Sequence, residues 1–133
     1  MGELSRILLK FISLILGIEQ MQSFPPPLSK DEEEEMFRRM RLGDKKARDV
    51  IIERNLRLVS HIIRKYYSNY QSTDELLSVG SLGLIKAVDS FKSEYGTRFA
   101  TYGAKCVQNE ILMFFRSQKK QQNEVSINDT IDV

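Results

Sequence analysis

From Val50 to Tyr66 the apolar residues recur at three- and four-residue steps: Val50, Ile51, Leu58, Val59, Ile62, Ile63 and Tyr66. A strand would send neighbours in this set to opposite faces, whereas a helix gathers them on one side. A long amphipathic helix must bury that side against other helices. The 133 residues provide for one domain with a real core. The pattern therefore predicts an all-α fold, a compact bundle of about four helices preceded by an apolar N-terminal helix. No internal repeat and no alternation of strands with helices breaks it.

Helix-ending residues set the boundaries. Ser29 followed by Glu32 has capping-box spacing, so a first helix starts at Lys30. The acidic run Asp31 to Glu35 lies in its first turns, where the helix dipole favours negative charge. Gly43 is its stop and Asp44 the cap of the next helix, which runs to about Tyr70. Ser72-Thr73-Asp74-Glu75 caps a third helix carrying Leu77, Leu84, Ile85, Val88 and Phe91. Gly80, Gly83 and Ala87 lie close together on it and permit close approach by a neighbour. Two interior glycines cost roughly 1 kcal/mol each relative to alanine, which packing must offset. A loop from Lys92 to Thr97 leads to a last helix from Arg98 to about Lys119. The domain thus covers 29–120, and the polar tail 121–133 has no assigned structure.

Composition removes much of the catalytic repertoire. Cys106 is the single cysteine and His61 the single histidine, which excludes a disulfide framework and the usual multi-histidine metal sites. Neither paired carboxylates, nor a nucleophile with its base, nor a phosphate loop is evident. The expectation is a protein that is not an enzyme and needs no metal or cofactor.

Leu4 to Ile18 is the most apolar stretch. It falls short of the roughly twenty residues of a membrane-spanning helix. Arg6, Lys10, Ser13 and Gly17 align on one stripe, so the segment 4–18 suits a helix lying in a membrane surface. A packed core helix is the competing reading; a signal peptide fits less well, because no small-residue cleavage site follows. Phe24-Pro25-Pro26-Pro27 then ends any helix, giving a leader over 1–22 and a proline-rich linker over 23–28.

The net charge of +2 does not announce a nucleic-acid binder, but its distribution does. Residues 98–120 hold five basic side chains (Arg98, Lys105, Arg116, Lys119, Lys120) against one acidic, Glu110. Arg98, Tyr102, Lys105, Asn109, Leu112 and Arg116 share one helix face, while Val107, Ile111, Phe114 and Phe115 mark another as core. Cations hold phosphates, a ring stacks an unpaired base and an asparagine amide reads a base edge. A solvated face, with Tyr102 in the core, stays open on this evidence alone.

Three segments carry a resemblance: Asn55 to Val59 (NLRLV), Asp74 to Phe91 (DELLSVGSLGLIKAVDSF) and Gly96 to Tyr102 (GTRFATY). In order and spacing they resemble the second conserved region of bacterial RNA polymerase sigma factors, and the similarity covers about 29 to 127. The leader and the Phe24-Pro25 junction resemble the precursor form of the late-sporulation sigma-K type.

The resemblance implies partners and roles. Glu75, Leu76, Ser78, Val79, Ser81 and Leu82 would dock on the coiled coil of the largest subunit of core RNA polymerase. Arg98, Phe99, Thr101 and Tyr102 would engage promoter DNA at the unwound non-template strand of the minus-ten element, with Tyr102 and Phe99 supporting a flipped base. Lys105 and Arg116 would hold the backbone, while Asn109, Leu112 and Met113 would meet the upstream edge. A membrane-embedded protease would remove the leader near Gly17 to Gln22, releasing a cytoplasmic factor from a membrane-associated precursor. The chain departs from the family pattern at Lys105-Cys106, where housekeeping members carry an aromatic pair, at Thr97, and at Ser78-Val79. It also ends before the helix-turn-helix domain of full-length members, as a truncated piece or an interrupted gene would. Two functions follow: a promoter-recognising subunit, or a helical fragment that binds polymerase or membrane without opening DNA.

Overall fold

The computed structural model describes residues 6–8 and 26–131, with side chains through 124. Its helices are α1 (Lys30–Arg41), α2 (Lys45–Arg54), α3 (Leu56–Tyr66), α4 (Thr73–Ser90) and α5 (Phe99–Ile131), with a 3-10 turn at Ser93–Tyr95. No strand occurs among the described residues, and the fold is all-α. Apart from Arg6–Leu8, which are helical, the expected leader helix lies outside the described residues.

The caps act where the sequence places them. The Ser29 hydroxyl accepts from the Glu32 amide at 3.2 Å, and Asp44 accepts from the amides of Lys46 and Ala47. After α1, Gly43 takes a left-handed φ of 94°. Its amide donates to the Met40 carbonyl and the Asp44 amide to that of Arg39, a Schellman closure. Ser72 stands at the cap position of α4, but its hydroxyl makes no capping bond.

Two boundaries differ from the sequence reading. The long second helix is two helices, so the domain holds five rather than about four. The break falls at Asn55, whose side-chain amide donates to the Ile51 carbonyl at 2.8 Å. That bond and a φ of −111° interrupt the backbone ladder for one residue. At the other end α5 continues through the polar tail to Ile131.

The core gathers Ile51, Ile52, Val59, Leu76, Leu84, Val88, Val107 and Ile111, each at most 1 % exposed. The closest packing joins α4 to α5. A Cβ on Gly83 would lie 3.0 Å from the Cys106 carbonyl oxygen, the Val107 Cα and the Glu110 Cβ. One on Gly80 would lie 2.7 Å from Val59 Cγ1. Gly83 thus lets α4 approach the backbone of α5, and Gly80 leaves room for the Val59 side chain of α3, which explains why residues costly to a helix stand there.

Candidate nucleic-acid interface

The expected face is built on α5. Thr101, Lys105, Asn109, Leu112, Met113 and Arg116 are exposed on it, and Tyr102 is half-buried. At about 1.5 Å of rise per residue, the stripe from Arg98 to Arg116 runs about 27 Å. Glu110, the one acid among residues 98–120, is bonded to Lys86 of α4 at 2.9 Å. The cations Lys105 and Arg116 face solvent, and the one carboxylate within residues 98–120 is already paired with Lys86.

Tyr102 rests on the core without being sealed in it. Phe37, Phe91 and Phe99 form a buried triad with ring centroids 5.0 to 5.4 Å apart. The Tyr102 ring lies 5.5 Å from Phe91 and 5.4 Å from Tyr95, and its hydroxyl pairs with that of Ser90 at 2.7 Å. A ring fixed at both ends loses little freedom on accepting a ligand.

Two expected contacts are corrected. Phe99 is 0 % exposed and fills the aromatic triad against Phe37 and Phe91, so its ring presents no surface to DNA. Leu76 is likewise 0 % exposed and belongs to the core. Glu75, Ser78, Val79 and Leu82 fall on one open or half-open side of α4 at helical spacing, while the Ser81 hydroxyl points inward without a partner.

Arg98 is tethered rather than free. Its guanidinium donates to both Glu33 carboxylate oxygens at 3.4 Å and to the Leu28 carbonyl at 3.1 Å. Glu33, buried on α1, also accepts the Phe99 amide at 3.2 Å. It thus caps the N-terminus of α5 from 66 residues away, and the sequence pattern gave no sign of it. Tyr95 is the second residue that the pattern did not single out; its only cue was an aromatic in the loop ahead of the basic helix. Beside these groups a groove of about 680 Å³ opens between α1 and the Ser93–Arg98 loop, floored by Phe37 and Phe91.

A basic stripe and an anchored half-buried ring on α5 thus stand beside an open side of α4 that carries Glu75, Ser78, Val79 and Leu82. The sigma-70 region 2 family model matches residues 51–121, which include α3, α4 and the basic part of α5. This chain belongs to the sigma-70 region 2 family. It is 42 % identical over 130 residues to an RNA polymerase sigma-28 factor of Bacillus thuringiensis subsp. kurstaki, covering 98 % of this chain and 53 % of that protein. It is 43 % identical over 111 residues to an RNA polymerase sigma-E factor of Clostridium acetobutylicum, covering 84 % and 47 %. It is 39 % identical over 104 residues to the RNA polymerase sigma-K factor of Bacillus subtilis, covering 78 % and 35 %. The chain spans about half or less of the length of these relatives. Tyr102, Lys105, Asn109 and Arg116 lie inside the matched span.

Among the described residues no cluster of metal-ligating side chains occurs and no helix is long and apolar enough to cross a membrane.

Proposed function

We propose that this region 2 domain docks on core RNA polymerase through α4 and captures the unwound non-template strand of the minus-ten promoter element on α5. The stripe of half-buried Tyr102 with exposed Lys105, Asn109 and Arg116, its neighbouring acid Glu110 paired with Lys86 of α4, carries the reading. The domain supplies no nucleophile. It binds an extruded base and so traps a transient opening of the duplex. Unstacking costs a few kcal/mol, which stacking on a fixed ring and contacts to the backbone offset. On α4, Glu75, Ser78, Val79 and Leu82 meet the coiled coil of the largest polymerase subunit.

The sporulation class completes the proposal. It is supported by the likeness to sigma-E and sigma-K factors and by the leader's resemblance to a sigma-K precursor. On this reading residues 4–18 hold the precursor at a membrane surface, a membrane-embedded protease removes the leader, and the released domain acts in the cytoplasm.

The test mixes the chain, with and without residues 1–22, with core polymerase and fork-junction DNA bearing a single-stranded minus-ten element. Binding that depends on the element's sequence and falls on Tyr102→Ala supports the reading. Polymerase binding without DNA preference refutes strand capture and leaves an interaction-only domain.

A further inference from the structure

We propose that Tyr95 is a second base-stacking residue, forming with Tyr102 a two-ring seat for one unpaired nucleotide. The inference rests on the strand-capture reading above and adds a residue to its site.

Tyr95 combines exposure with immobility. It is 49 % exposed, yet its ring is held at 5.4 Å from Tyr102 and edge-on to Phe91 at 6.0 Å. The three centroids make a nearly equilateral triangle, whose third side is the 5.5 Å from Phe91 to Tyr102. Phe91, 8 % exposed, is the inner corner. The two tyrosines are the outer corners, so the sides turned away from Phe91 open to solvent. The backbone fixes the same placement. The Tyr95 amide donates to the Lys92 carbonyl and the Gly96 amide to that of Ser93. Gly96 then turns the chain back with a left-handed φ of 71°, a conformation that glycine adopts without strain.

An aromatic ring exposed to this degree in a turn gains little for folding. Held beside a second ring tilted 41° from it, it offers a pre-ordered ring face of the kind that unpaired bases stack on. The charges around it refine the expectation. Lys92 and Glu94 flank Tyr95 on the same turn and are both exposed, so this turn adds no net cation. The contribution of Tyr95 is therefore stacking, independent of salt, in contrast to that of Lys105 or Arg116.

The experiment uses the full chain bound to core polymerase and a fork-junction probe with a single-stranded minus-ten segment. A parallel probe carries an abasic residue at the everted position. Tyr95→Ala is expected to weaken binding roughly 5- to 150-fold, the span of one base–aromatic stack. The salt dependence stays unchanged, and Tyr95→Phe retains wild-type affinity. On the abasic probe the penalty of Tyr95→Ala disappears, since no base remains to couple with the ring. A penalty that persists on the abasic probe shows a merely structural ring and overturns the proposal. If Tyr95→Ala binds like wild type while Tyr102→Ala does not, Tyr95 is no part of the seat and strand capture stands. If neither substitution nor removal of the base matters, strand capture falls and this proposal with it.

Discussion

Replacing Gly83 with alanine tests whether the α4–α5 contact is as close as backbone on backbone. In an open helix the change would stabilise by about 1 kcal/mol, because glycine is the poorer helix former. Here the new methyl would sit 3.0 Å from the Cys106 carbonyl oxygen and the Val107 Cα, both backbone atoms of α5. Contacts this short are tighter than ordinary van der Waals spacing, so the backbone of α5 must give by a few tenths of an ångström. Overpacking of this kind costs about 1–3 kcal/mol. No side chain can rotate aside to relieve it, so the cost exceeds the propensity gain and Gly83→Ala is destabilising by about 1 kcal/mol. Urea unfolding followed by far-ultraviolet circular dichroism reads this as a lower midpoint, and heating as a Tm lower by roughly 2–8 °C. A variant more stable than the parent by the propensity difference would refute the close approach and the helix placement built on it.

Glu33→Ala removes both the long-range cap of α5 and the partner of Arg98; it is expected to cost about 1–2 kcal/mol in urea unfolding, with Glu33→Gln milder because its amide oxygen still accepts from Phe99. Equal losses from the two variants would show that the cap contributes nothing. For DNA bound with core polymerase, Lys105→Ala and Arg116→Ala each lower the slope of log affinity against log salt by about 0.7, the single-strand value for one phosphate contact. Arg98→Ala lowers it less, because Glu33 already offsets that charge; a slope change for Arg98 as large as for Lys105 contradicts the tether. The Arg38 guanidinium, with Arg39 behind it, holds the Glu35 carboxyl down at about 2 from the ordinary 4.5. Its support of α1 is thus full above pH 4.5 and lost as the pH falls toward 2. Carboxyl chemical shifts of Glu35 should titrate near 2, and a midpoint near 4.5 would show that the pair does not form in solution.

How far the sequence reached depends on whether a determinant is local. Ser29, Gly43 and Asp44 act within four residues of themselves, and each stood where the structure uses it. The break at Asn55 was hidden because Ile51, Ile52, Leu56 and Val59 keep helical spacing across it, all of them buried. The extension of α5 was hidden for the opposite reason: residues 121–124 are all exposed, so the helix carries no apolar side there to read. The burial of Phe99 was legible, since Phe99, Gly103, Val107 and Ile111 repeat every four residues along the core side. Leu76, Gly80, Gly83 and Ala87 make the same kind of row on α4.

Glu33 differs from all of these because nothing near it in the chain announces its role. An acidic residue in the first turn of α1 reads as a partner for that helix's own dipole. Its carboxylate instead crosses to the first amide of α5 and to Arg98, joining the start of the domain to the start of the basic helix. The neighbouring ring contacts share that path, since Phe37 of α1 packs on both Phe91 and Phe99. The start of α5, from which Tyr102 and Lys105 project, is therefore held by α1 as well as by α4, and α1 lies outside the span 51–121 of the family match. Removing α1 should then loosen the stripe even though every residue of the stripe remains. A fragment starting at Lys45 that kept full DNA affinity in complex with core polymerase would show that α4 alone holds α5 in place.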